Sequence, residues 1–264
     1  MTDADILLTE MREKAPLVHC ITNHVAMNIA ANVLLAAGAS PAMVLAEEEA
    51  GEFAGLADAL TINIGTLTSA RLASMKAAIA GARDGGKPWV FDPVAHFATD
   101  YRRKAARAIL DLGPAVLRGN ASEILAFSGA AAHGKGVDAG DGVLAAEETA
   151  RRLAAEGKMV VAVTGETDFV TDGRRAARVA GGSPLMPKVT ALGCALTCLV
   201  GAFVGTRPAD PFSATIAAFA LYAVAGGKAH GMAQGPGTFA VQFLDALAAT
   251  GPAELKAGAR VTLL

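Results

Sequence analysis

Short apolar runs alternate with longer, alanine-rich amphipathic segments along most of this 264-residue chain. The runs are apolar at nearly every position, which is typical of strands that are buried on both faces of a sheet. They predict strands at residues 17–21, 42–45, 60–64, 89–92, 115–117 and 159–163, and a hairpin of 168–171 with 176–179 around the Asp172-Gly173 turn. The amphipathic segments predict helices at 25–37, 47–57, 68–83, 100–111, 122–127, 141–155, 194–204, 212–233 and 239–248.

Buried strands separated by helices predict an α/β fold, in which helices cover both faces of a mostly parallel central sheet. We therefore expect a three-layer α/β/α arrangement. No stretch of the sequence has the composition of a linker or an internal repeat, so residues 1–264 are predicted to form a single domain. The Gly-rich segment 130–142 is the best candidate for a mobile surface loop.

Composition excludes several classes of protein. Hydrophobic residues make up 53% of the chain, which excludes a disordered protein, and the formal net charge of -2 argues against a nucleic-acid-binding surface. The three cysteines, Cys20, Cys194 and Cys198, do not form a disulfide framework and indicate a reducing cytoplasm. Residues 17–46 and 189–206 lack charged side chains but contain Thr, Asn or Gly, so they predict core segments and no membrane span.

Polar residues follow several predicted strands, and this is where ligands gather in parallel α/β folds. A single polar residue after a strand is common in any α/β protein. Five strands followed by polar residues indicate a ligand-binding site at that edge of the sheet. The positions are Asn23, Asn63 with Gly65, Asp92, Arg118 with Asn120, and Thr164 with Gly165.

The most informative segment is 188–197, Lys-Val-Thr-Ala-Leu-Gly-Cys-Ala-Leu-Thr. A turn containing Gly193 opens an apolar helix and places Cys194 in its first turn. Backbone N–H groups at a helix N-terminus bind anions, and their field lowers the pKa of a thiol. The segment could therefore hold a phosphoryl group beside a proton acceptor. The alternative is a buried structural cysteine on a core helix.

Other candidates also have ordinary explanations. Asp92 precedes a proline, as turn residues often do, and Asn120 with Glu123 has the spacing of a helix-capping box. A lone arginine such as Arg118 usually lies on the solvated surface, and Met43 on a predicted core strand is expected to pack.

Segment 188–197 resembles the anion-hole turn of ribokinase-like kinases, Gly-x-Gly followed by Asp or Cys, and the Cys form is that of hydroxyethylthiazole kinases. Further blocks match this family in order: PLVHCITNHVAMNIAANVLLAAGASPAM, LTINIGTLT, DPVAHFATDYR, LRGNASEI, AVTGETDFVTDG and GPGTFAVQFLDAL. The resemblance covers nearly the whole chain and implies a ribokinase-like fold. It also implies ATP-dependent phosphorylation of the primary alcohol of 4-methyl-5-(2-hydroxyethyl)thiazole, a step of thiamine salvage.

The resemblance assigns roles to particular residues. It implies that Cys194 and Gly193 are catalytic and that Asp92 and Glu123 hold Mg²⁺, with Glu123 acting through water. It implies nucleotide contacts by Arg118, Asn120 and Thr164, and thiazole contacts by Asn23, Met43, Gly65 and Ala191. It further implies a homotrimer whose thiazole pocket lies at the subunit interface.

Two loops depart from the family pattern. Ala191 and Leu192 replace a glycine and a small residue, and a positive φ at Ala191 would cost about 1 kcal/mol or more. The loop after Asp92 lacks two glycines, and His96 and Phe97 could narrow the space around metal and phosphates. These changes leave open a kinase for another small vitamin-like alcohol. Two further alternatives are an ATP-driven repair lyase on the same fold and an inactive nucleotide-binding module.

Overall fold

Secondary structure in the computed structural model follows the alternation seen in the sequence. The structure describes residues 3–128 and 139–264, without the side chains of 139–145. The strands are β1 (Leu17–Ile21), β2 (Ser40–Ala42), β3 (Ala59–Asn63), β4 (Trp89–Asp92), β5 (Val116–Asn120), β6 (Val160–Thr164), β7 (Thr167–Thr171), β8 (Ala176–Ala180) and β9 (Arg260–Leu263). The helices are α1 (Ala4–Lys14), α2 (Met27–Ala37), α3 (Glu47–Leu56), α4 (Ser69–Asp84), α5 (Asp100–Leu110), α6 (Ala121–Ala126), α7 (Ala139–Gly157), α8 (Leu192–Thr206), α9 (Pro211–Met232), α10 (Pro236–Ala249) and α11 (Pro252–Gly258).

The described strands form one nine-stranded sheet in the order β2-β1-β3-β4-β5-β6-β7-β8-β9. Every pairing from β2 to β6 is parallel, and β7, β8 and β9 continue the sheet as antiparallel strands. The prediction of a mostly parallel sheet is thus confirmed. Because β1, β3, β4, β5 and β6 are neighbours that run in one direction, their carboxyl ends meet along a single edge.

The core lies in two layers, one on each face of the sheet. Adjacent residues of a strand point to opposite faces, so Val90 and Phe91 of β4 belong to different apolar clusters. One cluster includes α1, α2, α8, α9 and α10, and the other includes α3, α4, α5, α6 and α7. This separation gives the three-layer α/β/α arrangement that the sequence predicts.

Elements at the sheet edges and chain ends differ from the predictions. The strand predicted at 42–45 lies at Ser40–Ala42, so Met43 follows the strand; this three-residue edge strand is half-buried throughout and has no apolar run. The pattern does not predict α1, α11 or β9. Strand β9 is mostly exposed and is defined by its pairing with β8. Of the loop predicted at 130–142, residues 130–138 lie outside the described part, and the remainder is already helical in α7.

Helix α9 is the one described helix that is long and apolar enough to cross a membrane, and 72% of that stretch is buried within the protein. Such burial is typical of a central core helix. The two uncharged stretches at 17–46 and 189–206 are divided among β1, α2, β2 and α8.

Candidate active site

Asp92 ends β4 and is completely buried at the edge where the parallel strands end. Its Oδ2 atom accepts hydrogen bonds from the Asn63 amide at 2.9 Å, the Thr197 hydroxyl at 2.7 Å and Nη1 of Arg118 at 3.4 Å. Burial raises the pKa of Asp92 to about 6, although the positive charge of Arg118 opposes the shift. The other oxygen, Oδ1, is buried without a partner among the described residues. A buried carboxylate oxygen of this kind fits a cation or an ordered water.

Glu123 lies in the first turn of α6, and backbone donors hold both of its oxygens. Ala95 N donates to Oε1 at 2.9 Å and Asn120 N donates to Oε2 at 2.8 Å. The Asn120 side chain in turn accepts from Glu123 N at 2.9 Å, so the predicted capping box is confirmed. In the described part of the chain, no group of three or more Asp, Glu, His or Cys side chains lies close enough together to bind a metal ion. A cation near Asp92 would therefore complete its shell with water or phosphate oxygens.

Arg118 is buried within β5, so the interpretation as a solvated surface residue is wrong. Its Nη2 atom donates to the Thr164 hydroxyl at 2.8 Å, while Nη1 faces Asp92. Its Nε is buried without a partner in residues 3–128 and 139–264. A Cβ built on Gly193 would lie only 3.0 Å from Nη2, so a side chain at that position would displace the guanidinium. The guanidinium of Arg118 is thus held between the ends of β4 and β6 and the start of α8.

A cavity of about 900 Å³ opens beside Arg118. Asn120, Thr164, Gly181 and Gly193 are among the residues that line this cavity. Its volume suits a nucleotide.

Asp168 also lines the cavity, and its role was not predicted because it lies inside an apparent strand. Gly165 N donates to its Oδ1 at 3.0 Å, and burial raises its pKa to about 6.

The turn before α8 has the conformation that a glycine would adopt most easily. Ala191 has φ 62 and ψ 10, so the condition under which an alanine is strained at this position is met. No described side chain caps this helix, which leaves backbone N–H groups of its first turn available to an anion. The Tyr222 hydroxyl donates to Leu192 O at 2.7 Å and fixes the turn from the core side.

Cys194 is the third residue of α8, two residues further into the helix than predicted. Asn23 Nδ2 donates to its sulfur at 3.3 Å. Burial raises the pKa of Cys194 to about 11, and the nearby Asp92 adds to the shift. The expectation that the helix N-terminus lowers this pKa is therefore wrong, and the thiol is neutral at pH 7. Cys198 is fully buried beside the Thr61 hydroxyl, as expected of a core residue.

A network of amides lies next to the thiol. Asn63 Oδ1 accepts from Asn23 Nδ2 and from Gly65 N, both at 2.9 Å. Gly65 approaches so closely that a Cβ there would lie 2.7 Å from the Asn23 Cβ. The structure therefore brings Asn23 and Gly65 together with Cys194. Met43 directly follows β2, the edge strand that pairs with β1, and its side chain is half-buried against the core.

The loop after β4 packs differently from the expectation. His96 is buried and stacks on Phe127 with ring centroids 4.0 Å apart. Its Nε2 atom is 2.8 Å from Glu123 O, so the ring lies behind Glu123 and supports α6. His96 is not among the residues that line the cavity beside Arg118. Ala95 in this loop has φ 50, a conformation that glycine adopts more easily.

Thr197 is a site residue that the sequence analysis missed. It lies one helical turn after Gly193, and this i, i+4 spacing on α8 is the signal that could have identified it.

Comparisons with known proteins identify the family of this chain. The model of the "Hydroxyethylthiazole kinase family" matches residues 8–251. The hydroxyethylthiazole kinase of Rhizobium etli (strain CIAT 652) is 63% identical over 257 residues, which cover 97% of this chain and 100% of that protein. The solved hydroxyethylthiazole kinase from Pyrococcus horikoshii OT3 is 40% identical with a TM-score of 0.90, covering 99% of this chain and 98% of that chain.

A more distant structure shares the fold alone. Pyridoxal kinase from Staphylococcus aureus in complex with ADP is 16% identical with a TM-score of 0.62, covering 81% of this chain and 88% of that chain. The closely related sequences and the Pyrococcus structure, in contrast, match this chain over nearly all of its length. The chain therefore belongs to the hydroxyethylthiazole kinase family.

Proposed function

We propose that this protein transfers the γ-phosphate of ATP to the primary alcohol of hydroxyethylthiazole, as a step of thiamine salvage in the cytoplasm. The observation that carries the proposal is the position of Arg118. Its guanidinium lies between Asp92, Thr164 and the uncapped start of α8 at Gly193. A forked cation beside a helix N-terminus is suited to polyphosphate. Family membership supports the choice of alcohol.

The nucleotide would occupy the cavity beside Arg118. Arg118 can give charge-assisted hydrogen bonds to phosphate oxygens, and Thr164 orients it. Asn120 lines the same cavity. The N–H groups at the start of α8, including that of Gly193, would meet the transferred phosphoryl group.

Asp92 and Glu123 are the residues that would hold Mg²⁺. The unpartnered Oδ1 of Asp92 fits direct contact with the cation, whereas both oxygens of Glu123 already accept backbone hydrogen bonds and fit contact through water. When bound, the cation would supply positive charge to the phosphates, which dominates phosphoryl transfer. Asp92 ionises with a pKa of about 6, so it carries the required charge at pH 7.

The thiazole would lie on the side of Asn23, Met43, Gly65 and Ala191, with its alcohol near Cys194. A neutral thiol can orient that alcohol through a hydrogen bond, although it is a poor base at pH 7. Because the transition state of phosphoryl transfer is loose, the reaction needs little help from a base. The proton of the alcohol can pass to an oxygen of the transferred phosphoryl group.

A homotrimer would complete the thiazole pocket at a subunit interface. Val25, two residues from Asn23, is 60% exposed, and Leu35 on α2 is 61% exposed. Large apolar side chains in such positions favour burial against a second copy. Light scattering should give about 80 kDa, three times the chain mass of 26.6 kDa. The mass of a single chain at micromolar concentration would refute the shared pocket.

The decisive experiment measures ADP release with ATP, Mg²⁺ and a panel of alcohols: hydroxyethylthiazole, pyridoxine-like vitamin alcohols, and a control without alcohol. We expect the highest kcat/KM with the thiazole and no turnover without an acceptor. A preference for another alcohol would overturn the substrate assignment. ATP consumption without phosphorylated alcohol would indicate different chemistry, and no turnover with any acceptor would indicate an inactive module.

A further inference from the structure

Arg102 on α5 connects two loops of the candidate site through backbone carbonyls. Its Nη1 donates to Gly65 O at 3.1 Å and its Nη2 donates to Ile64 O at 2.7 Å. Its Nε donates to Ala95 O at 3.1 Å, and Nη2 also contacts Val94 O. The first pair of carbonyls follows β3 and the second pair follows β4. One half-buried guanidinium therefore holds both loops together.

Each loop leads to a different part of the site. The loop after β3 carries Gly65, whose N–H binds Asn63, and Asn63 in turn binds Asn23 and Asp92. The loop after β4 carries Ala95, whose N–H donates to Oε1 of Glu123. Arg102 thus links the amide network on the side proposed for the alcohol with the carboxylate proposed to act on the metal.

The conformation of Ala95 makes this link necessary. Ala95 has φ 50, a left-handed conformation that is unfavourable for a residue with a side chain. Its N–H is held by Glu123 and its carbonyl by Arg102. Without Arg102, Ala95 could relax toward negative φ, and Glu123 would lose the donor that fixes Oε1.

We propose that Arg102 is a positioning residue that sets the distance between the acceptor alcohol and the metal-bound phosphate. The proposal rests on the proposed kinase function. Arg102 touches neither the nucleotide cavity nor Arg118. A lysine could not replace it, because a single ammonium group cannot hold carbonyls on two loops in the way a planar fork does.

The test compares Arg102→Lys with Arg103→Lys, which is a matched control on the next residue of α5. Arg103 is half-exposed and contacts Asp100 and Phe97 O, on the outer side of the helix. We expect Arg102→Lys to lower kcat for the thiazole by at least ~30-fold, because misplacement by about 1 Å can cost ~100-fold. ATP affinity in excess EDTA should stay within ~2-fold, since Arg118 and Thr164 are untouched. Arg103→Lys should resemble wild type.

A second measurement does not depend on turnover. Electron paramagnetic resonance can measure the affinity of the enzyme–ATP complex for Mn²⁺ in the absence of the thiazole. We expect this affinity to fall at least ~5-fold in Arg102→Lys and to be unchanged in Arg103→Lys, because a displaced Glu123 would no longer hold the metal-bound water in place. If wild type does not phosphorylate the thiazole but this difference in Mn²⁺ affinity is present, the proposed function fails and the role of Arg102 stands. If kcat and Mn²⁺ affinity match the control, or if ATP binding in EDTA is also lost, the positioning role is overturned.

Discussion

Cys194 gives the sharpest test of how the acceptor alcohol loses its proton. Its pKa of about 11 means that about 1 molecule in 10,000 carries a thiolate at pH 7. A base present in so small a fraction contributes little to kcat. Cys194→Ala should therefore remove only a hydrogen bond, which is worth about 0.5–1.5 kcal/mol, and lower kcat by about 2–12-fold.

Cys194→Asp should act in the opposite direction. The new carboxylate would be buried close to Asp92, which would raise its pKa above the ordinary value of about 4. If its pKa reached that of Asp92, about 6, the group would still be about 90% ionised at pH 7. A base in that state can assist proton transfer by up to about 100-fold, so kcat should be kept or raised.

The assay is steady-state kcat at saturating ATP and thiazole between pH 6 and 9, with Cys198→Ala as the control. Cys198 is buried one helical turn further along α8, so its substitution should leave kcat near that of wild type. A rise in wild-type kcat with an apparent pKa near 8 that disappears in Cys194→Ala would refute the reasoning, because it would reveal a working thiolate.

Four further predictions concern three other residues of the site: Asp92, Arg118 and Ala191. Asp92→Ala should lower kcat/KM at least ~100-fold through loss of the metal, and excess EDTA should abolish wild-type turnover; full turnover in EDTA would contradict the metal role. The pKa of Asp92 is about 3.9 in the unfolded chain and about 6 in the folded protein. Its contribution to the free energy of unfolding is therefore complete below about pH 4 and is lost as the pH rises through about 6. Asp92→Asn should flatten this decline in denaturant titrations of the metal-free protein, and an unchanged pH dependence would argue against the raised pKa. Arg118→Ala should weaken ATP binding in calorimetry by about 1.5–3 kcal/mol, and an unchanged dissociation constant would remove Arg118 from the nucleotide site. Ala191→Gly should raise the free energy of unfolding by about 0.5–1 kcal/mol and Tm by about 1–4 °C, because φ 62 suits glycine; a lower Tm in calorimetry would contradict the strain.

Strands buried on both faces could be predicted from the sequence within one or two residues. Strands β3, β4 and β6 are apolar at nearly every position before their last residue, because both faces of each strand meet a layer of helices. The edge strands β2 and β9 could not be placed, since they owe their strand conformation to pairing with β1 and β8. Helix α1 shows only a narrow apolar stripe, Leu7, Leu8 and Met11, among charged residues, and packing reveals its role.

The sequence by itself determined the residue types of the site and their order along the chain. The polar residues after the parallel strands, the Gly193-Cys194 turn and the Asn120–Glu123 capping box were all readable in it, because each depends on neighbours within a few positions. It also showed an alanine at the position of a family glycine, whereas the positive φ of Ala191 is a finding of the structure.

Only the tertiary structure decided the charge states and the contacts between distant residues. Arg118 is buried because Asp92, Thr164 and Gly193 come from three separate elements that meet at the sheet edge. The thiol of Cys194 is neutral because burial, together with the charge of Asp92, outweighs the hydrogen bonds and the positive charge that would lower its pKa. His96 packs inward on Phe127, and Arg102 spans two loops. Desolvation and long-range contacts depend on the residues that surround a side chain in space. A local sequence pattern cannot predict them, because those residues come from distant parts of the chain.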